Sequence, residues 1–465
     1  MTATHYTSWL DLAAEIRDGK TTSEAVVSAH LDRIAAVEPH LNAFITVTAE
    51  AALEQARAVD RKIAAGEAVG ALAGVPYALK DIIDTAGLLT TCHSAIRADH
   101  VPDADANVAA RLADADGVLV GKLSTHEFAI GGPSFDLPWP PARNPWNRNY
   151  FPGGSSSGSG SAVAAGMVPL ALGTDTAGSV RNPASLCGIV GMKATYGRVS
   201  RSGVFPLSFS LDHVGPMTRL VAENAAALQI LAGHDPADPG SAAVPVDDFS
   251  RDLAAGVSGL RVGVLRHFYA EDIEAEAPVR DGIDAAAEQL AAIGADVVEV
   301  RTRALREYVE CNRVLLTSEA FSVHEQWLQE RPADYGALAR ERLTVGAFLR
   351  AVDYVQANRQ KRHLCAEMNR LFDDVDVLIT ASSMDCTVRI DDPAEVTRTY
   401  QRQSRAPFNL TGLPALSMPC GFDPNGLPLS FQIAAPAFCE ALIYRVAAAY
   451  EAATAWHHEH PPEPQ

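Results

Sequence analysis

Lysine is scarce in this chain. Six stand among 465 residues, at Lys20, Lys62, Lys80, Lys122, Lys193 and Lys361, and arginine carries the rest of the positive charge. With 38 basic against 57 acidic residues the net charge is −19, which argues against direct nucleic-acid binding as the main role and leaves only local basic patches. None of the 7 cysteines forms a Cys-x-x-Cys pair. That speaks against a zinc site or a disulfide framework and for reduced thiols in the cytoplasm. No run reaches about 18 uninterrupted apolar residues, so no membrane span is expected. Met1–Asp11 holds no basic region followed by an apolar core, so no secretory signal is expected either. Internal repeats and charged tails are also lacking.

What remains is an ordinary soluble-enzyme composition, with 48% of residues apolar and 20% charged. Thr21-x-x-Glu24 reads as a capping box ahead of a helix over 25–37 that Pro39 ends. A second helix covers 49–65. Residues 74–84 read as a short strand delivering Lys80-Asp81 near its end. Helices are expected over 107–115, 222–232, 278–293, 305–329, 345–372 and 440–453. Strands are expected over 117–123, 168–172, 260–265, 296–300, 375–380 and 429–433, with a loop-strand region over 409–422. Strands alternating with helices predict an α/β fold with one mixed sheet. Residues 133–152, rich in Pro and Trp, form a long loop of the kind that is often functional.

That loop leads into residues 151–201, where the chemistry concentrates. Gly153 to Ser161 is a run of Gly and Ser, followed by small apolar residues and a second turn, Thr174-Asp175-Thr176-Ala177-Gly178-Ser179. A flexible linker would not run straight into so apolar a passage. Small residues let backbone N–H groups approach a ligand, and hydroxyls on such turns are candidate nucleophiles. Gly154-x-Ser156-x-Gly158 formally matches a nucleophile elbow, but residues 147–152 do not make the strand that an elbow requires. The turn at 175–179 follows a plausible buried strand. Its N–H groups at Thr176, Ala177, Gly178 and Ser179 are placed to meet a developing oxyanion.

A serine nucleophile needs a base. His126 and His213 are the nearest histidines, and neither has a carboxylate partner evident from sequence. Lysine serves instead in Ser-Lys hydrolases. Lys20, Lys62 and Lys361 lie in polar surroundings and are expected to be solvated, while Lys122 and Lys193 stay open as candidates. Lys80 closes an apolar strand, and burial would disfavour its charged form. Lowering it from about 10.4 to about 7 takes roughly 4–5 kcal/mol. A buried ion pair of Lys80 with Asp81 or Asp84 explains the same residues equally well.

The pattern as a whole resembles the amidase signature family. Gly153–Ser156 matches its Gly-Gly-Ser-Ser turn, Thr174–Ser179 its Thr-Asp-x-Gly-Gly-Ser turn, and Cys187–Lys193 its Cys-Gly-x-x-Gly-x-Lys segment. Further segments at 41–47, 74–81, 143–147, 211–217 and 409–421 extend the resemblance over nearly the whole chain. The resemblance implies a central mixed β-sheet covered by helices on both faces, in one large domain spanning 1–465. Within it, residues about 60–235 would carry the catalytic core, 240–400 a more variable helical and substrate-facing part, and 405–465 the return to the sheet. It also implies a Ser–cis-Ser–Lys triad without metal or cofactor. Ser179 would attack the carbonyl, Ser155, on a non-proline cis peptide, would relay the proton, and Lys80 would be the neutral base. The N–H groups of Thr176–Ser179 would form the oxyanion hole, and the loop with Ile130 and Gly131 would line the substrate pocket. Ser157, Ala177 and Ala194 depart from the family pattern. Ala177 replaces a glycine, which adds strain if that position needs a positive φ.

The implied reaction is hydrolysis of a small-molecule amide-type bond, in an amide, aryl-acylamide, ureido compound or carbamate. The alternative is the glutaminase A subunit of a tRNA-dependent amidotransferase. Such subunits tend to carry Gly-Ser-Ser-x-Glu-Asn-Ser after the position of Phe128, whereas this chain has Gly131-Gly132-Pro133-Ser134-Phe135-Asp136-Leu137. On that ground the free-standing hydrolase ranks first. Many relatives are dimers, so a homodimer is also implied.

Overall fold

The computed structural model describes residues 4–463. Met1–Ala3, part of the stretch read for a secretory signal, lie outside the described residues. No helix among the described residues is long and apolar enough to cross a membrane.

Eleven strands form one sheet: β1 Phe44–Val47, β2 Pro76–Lys80, β3 Val118–Leu123, β4 Leu170–Asp175, β5 Val190–Lys193, β6 His213–Thr218, β7 Arg261–Val264, β8 Asp296–Glu299, β9 Val377–Ala381, β10 Ala415–Phe422 and β11 Pro428–Ala434. Their order is β1-β3-β2-β4-β6-β5-β10-β11-β9-β7-β8. β2 runs parallel to both β3 and β4, β7 runs parallel to β8 and β9, and the remaining pairs are antiparallel. Successive side chains of a strand point to opposite faces, and here both faces are buried. Tyr77, Leu79, Leu170 and Leu172 enter one apolar cluster with Trp9, Leu112 and Leu228. Their neighbours Ala78 and Ala171 enter another with Val27, Ala52 and Ala162. The mixed sheet covered on both faces is therefore as expected.

Several local expectations need correction. The first long helix is Ser23–Leu41, capped by Thr22 rather than Thr21, and Pro39 sits inside its last turn. The chain leaves that helix at Asn42, whose left-handed backbone ends it while its N–H bonds Glu38 C=O. The helix expected over 345–372 is broken. Leu349 is extended after a short turn at Val345–Phe348, and Asp353 accepts the Arg350 N–H at 3.0 Å to start a new helix, Ala351–Arg370. The Gly/Ser run contains a helix, Ser157–Ala164, whose eight residues are all buried. Composition gave no sign of it, because tertiary packing overrides the poor helix propensity of Gly and Ser.

Candidate active site

Lys80 ends β2, and Thr174-Asp175 ends the parallel neighbour β4, where Leu79 lies opposite Leu172. The carboxyl ends of parallel strands are where open α/β sheets place ligands. Lys80 is fully buried. Its Nζ lies 2.7 Å from Ser155 Oγ and 2.8 Å from Thr174 Oγ1. Neither Asp81 nor Asp84 pairs with it. Asp81 faces Lys122 instead, at 3.7 Å, so the ion-pair reading of Lys80 falls. Burial pushes the Lys80 ammonium down to about 7, against the weaker opposing influence of Asp175 and Asp212.

Ser155 follows a cis Gly154–Ser155 peptide, as the resemblance implied. Three contacts fix this segment. Gly154 N–H donates to Asn182 Oδ1 at 2.9 Å, Tyr400 O–H donates to Gly154 C=O at 3.3 Å, and His126 N–H donates to Ser155 C=O at 3.0 Å. A Cβ at Gly154 would stand 2.1 Å from the His126 ring, so only glycine fits there.

The Ser179 turn is organised by Asp175. Its carboxylate accepts Arg181 Nε at 3.1 Å and Nη2 at 3.0 Å, Asn409 Nδ2 at 2.8 Å, Gly178 N–H at 2.8 Å and Val180 N–H at 3.1 Å. The Asp175–Arg181 pair is wholly buried. Burial pushes the Asp175 carboxyl up, but the Arg181 guanidinium outweighs it and holds the group well below the usual carboxylate range. Because Asp175 occupies the Gly178 N–H, three of the four expected oxyanion donors stay open. Among the described residues, the N–H groups of Thr176, Ala177 and Ser179 make no hydrogen bond. The left-handed backbone falls on Gly178, with φ 118°, and not on Ala177. Alanine at 177 therefore carries no such strain. The two serine turns meet through Ser156 N–H, which donates to Ser179 C=O at 3.2 Å. No direct hydrogen bond joins Ser155 Oγ to Ser179 Oγ.

Ser156 has a different role from the one its elbow pattern suggests. Its hydroxyl donates to Thr174 C=O at 3.2 Å and accepts Thr174 N–H at 3.1 Å. It clips the two turns together, and no basic side chain hydrogen-bonds it to activate it. His126 is buried without a carboxylate partner, and burial depresses its pKa well below the ordinary value. His213 Nδ1 faces the Leu211 carbonyl at 2.7 Å and Nε2 faces Lys193 at 3.3 Å. Neither histidine lies in hydrogen-bond reach of a candidate nucleophile.

Of the residues expected to line the substrate pocket, Gly131 lines a small cavity with His126, Arg342 and Tyr400. Ile130 lies at the edge of an aromatic cluster around Phe128. Trp146 packs against Phe422 at 4.9 Å between ring centres and donates Nε1–H to Cys187 C=O, so it belongs to the scaffold. A separate cleft of about 500 Å3 reaches Thr174 and Asp212. The sequence did not point to Arg181 or Tyr400 as parts of this site. Thr174 lies in the serine turn itself and Asp212 and Asn409 in segments already matched, but only the folded chain shows what they touch.

The amidase family pattern, described as Amidase, matches residues 25–443. Two curated relatives are each named as the A subunit of glutamyl-tRNA(Gln) amidotransferase. The one from Synechococcus sp. (strain RCC307) is 38% identical, covering 96% of this chain and 96% of the relative. The one from Moorella thermoacetica (strain ATCC 39073 / JCM 9320) is also 38% identical, covering 98% of each. Among solved structures, 6-aminohexanoate cyclic dimer hydrolase superposes with a TM-score of 0.89 at 29% identity, covering 98% of this chain and 99% of that one. The chain is a member of the amidase signature family.

Proposed function

We propose that this chain cleaves a carbon–nitrogen amide bond through an acyl-enzyme on Ser179. The observation that carries this is the buried Lys80 Nζ, 2.7 Å from Ser155 Oγ beside the Ser179 turn. Neutral Lys80 takes the Ser179 proton through Ser155 as Ser179 Oγ attacks the carbonyl carbon. The N–H groups of Thr176, Ala177 and Ser179 meet the oxyanion. The proton then returns through Ser155 to the leaving nitrogen, and the C–N bond breaks. Water cleaves the acyl-enzyme by the same proton route in reverse.

Two settings fit that chemistry, and the relatives reverse the order given by the sequence. The curated relatives above favour the glutaminase A subunit of a tRNA-dependent amidotransferase, a cytoplasmic setting in which the released ammonia passes to a partner. Arg342 supports this reading. It lines the cavity beside Tyr400 and, among the described residues, forms no ion pair with a carboxylate. An unpaired guanidinium is the group that would recognise the carboxylate of a glutamine substrate. The second reading, a free-standing amide hydrolase, is favoured by the divergent segment 131–137 and by the likeness to the cyclic dimer hydrolase.

Ammonia release from L-glutamine separates the two, measured beside a panel of simple amides, anilides, ureas and carbamates. Glutamine turnover that rises when the remaining amidotransferase subunits are added supports the subunit reading. Fast turnover of another amide by the isolated chain, with none of glutamine under either condition, overturns it.

A further inference from the structure

Outside the triad, the oxyanion turn is held by two carboxylates that no reaction step uses, the buried Glu319 and the partly buried Asp212. The Thr176 hydroxyl donates to Asp212 Oδ1 at 2.5 Å. Asp212 Oδ2 accepts the Leu207 and Ser208 N–H groups, each at 2.9 Å. The loop bearing these residues is gripped in turn by Glu319, from the helix Leu305–Glu330. Glu319 accepts Ser208 Oγ at 2.6 Å, Ser210 Oγ at 2.7 Å, Ser210 N–H at 3.0 Å and Tyr354 O–H at 2.9 Å. The same helix supplies Asn312, whose Nδ2 lies 3.4 Å from Thr176 C=O.

Neither carboxylate forms an ion pair among the described residues. The charged and titratable groups facing Asp212 are Lys80, Arg201 and Tyr196. A buried carboxylate without a salt-bridge partner costs stability unless hydrogen bonds compensate it. Here every compensating donor belongs to one loop, one turn or the helix layer above them. The arrangement fixes a backbone segment, and the segment fixed is the one that must meet an oxyanion.

We propose that Asp212 is a positioning residue for acyl transfer: by holding the Thr176 side chain it fixes the N–H groups of Thr176, Ala177 and Ser179 in a convergent geometry, and Glu319 holds the loop that carries it. The inference rests on Ser179 being the nucleophile. Oxyanion donors act only when they lie within hydrogen-bond distance of where the charge develops. Thr176 is the first residue past β4, so sheet hydrogen bonds no longer restrain it. The side-chain latch and the Asn312 contact take over there.

The test measures the rate at which a fluorophosphonate labels the full chain, from pH 5 to 10, with KI and the maximal rate separated and the labelled residue mapped. Thr176→Val is expected to lower the maximal rate about 10- to 100-fold with KI unchanged, since losing a whole oxyanion donor costs roughly 10²–10³. Thr176→Ser keeps the hydroxyl and is expected to label within about threefold of the parent. Asp212→Asn is expected to label slowly as well. It also removes a negative charge that faces Lys80, so its acid limb moves to lower pH, a shift that a purely structural defect would not produce. Parent-like maximal rates in both Thr176→Val and Asp212→Asn overturn the proposal. Should Thr176→Val fail to fold, Asp212→Asn and Thr176→Ser decide it by the same readouts. Failure of the parent to label at Ser179 would instead overturn the underlying assignment of the nucleophile.

Discussion

Asp175→Asn is the perturbation whose cost can be worked most fully from the structure. The substitution keeps the shape and removes the charge that faces Arg181, whose side chain is wholly buried. Breaking a buried pair by removing one partner costs about 3–5 kcal/mol. The new amide also points a donor where three backbone N–H groups and Asn409 Nδ2 already donate. At about 2.1 cal/mol/K per residue, the unfolding entropy of a chain this long is about 1 kcal/mol/K, so the melting temperature should fall by about 3–5 °C. Urea unfolding followed by far-UV circular dichroism at neutral pH measures the free energy itself. Acid adds a second signature. The folded Asp175 carboxyl is held well below its unfolded value of about 3.9. Its contribution is therefore complete above that value and is lost as pH falls beneath it. The variant should lose less stability than the parent in that window. A loss below about 1 kcal/mol at neutral pH would refute the view that this pair organises the Ser179 turn.

Other substitutions separate the neighbouring roles. Ser156→Ala should cost about 1–3 kcal/mol, because it unpairs the buried Thr174 N–H and C=O, yet still label at Ser179. Loss of labelling in a folded Ser156→Ala protein would restore the elbow reading. Lys80→Met should stay folded and inert. Burial pushes the Lys80 ammonium down to about 7, so between there and its unfolded value of about 10.4 the unfolded chain binds more protons than the folded one. Parent stability should gain up to about 1.4 kcal/mol per pH unit from this group across that window, and the Met variant should lack that gain. Gly178→Ala should lower stability by more than about 1 kcal/mol and slow labelling. Its Cβ would stand 2.4 Å from Arg405 Nε at a φ of 118°. A parent-like Gly178→Ala enzyme would show that the turn is not shape-critical.

How much the sequence disclosed depended on the range of the interaction. Lys80 stood out because an apolar strand leads into it and Ser179 because small residues follow a strand, but only the family resemblance assigned them the parts of base and nucleophile. Helices with clear periodicity fell where expected, as at Ala49–Ala64 and Glu440–Ala452. The helix Ser157–Ala164 was hidden, since Gly and Ser carry no helical signal and burial alone stabilises it. The break before Ala351–Arg370 was hidden too. Gly346 sits so close to Phe321, 2.3 Å for an added Cβ, that packing rather than local preference sets the chain path there. The partners of Lys80 and Asp175 come from positions up to 234 residues away. Thr174, Asn409 and Asp212 acquire their roles only when the sheet brings those segments together. Even the choice between Asp81 and Ser155 as the neighbour of Lys80 turned on which way one side chain leaves β2.

The most direct test of the triad is to map fluorophosphonate adducts by peptide mass spectrometry across a pH series, on the parent chain, Ser179→Ala and Lys80→Met. The expected result is one adduct, on Ser179, forming with an acid limb near pH 7 and absent from both variants. An adduct on Ser155, Ser156 or any other residue at the parent rate, or undiminished labelling in Lys80→Met, would contradict it.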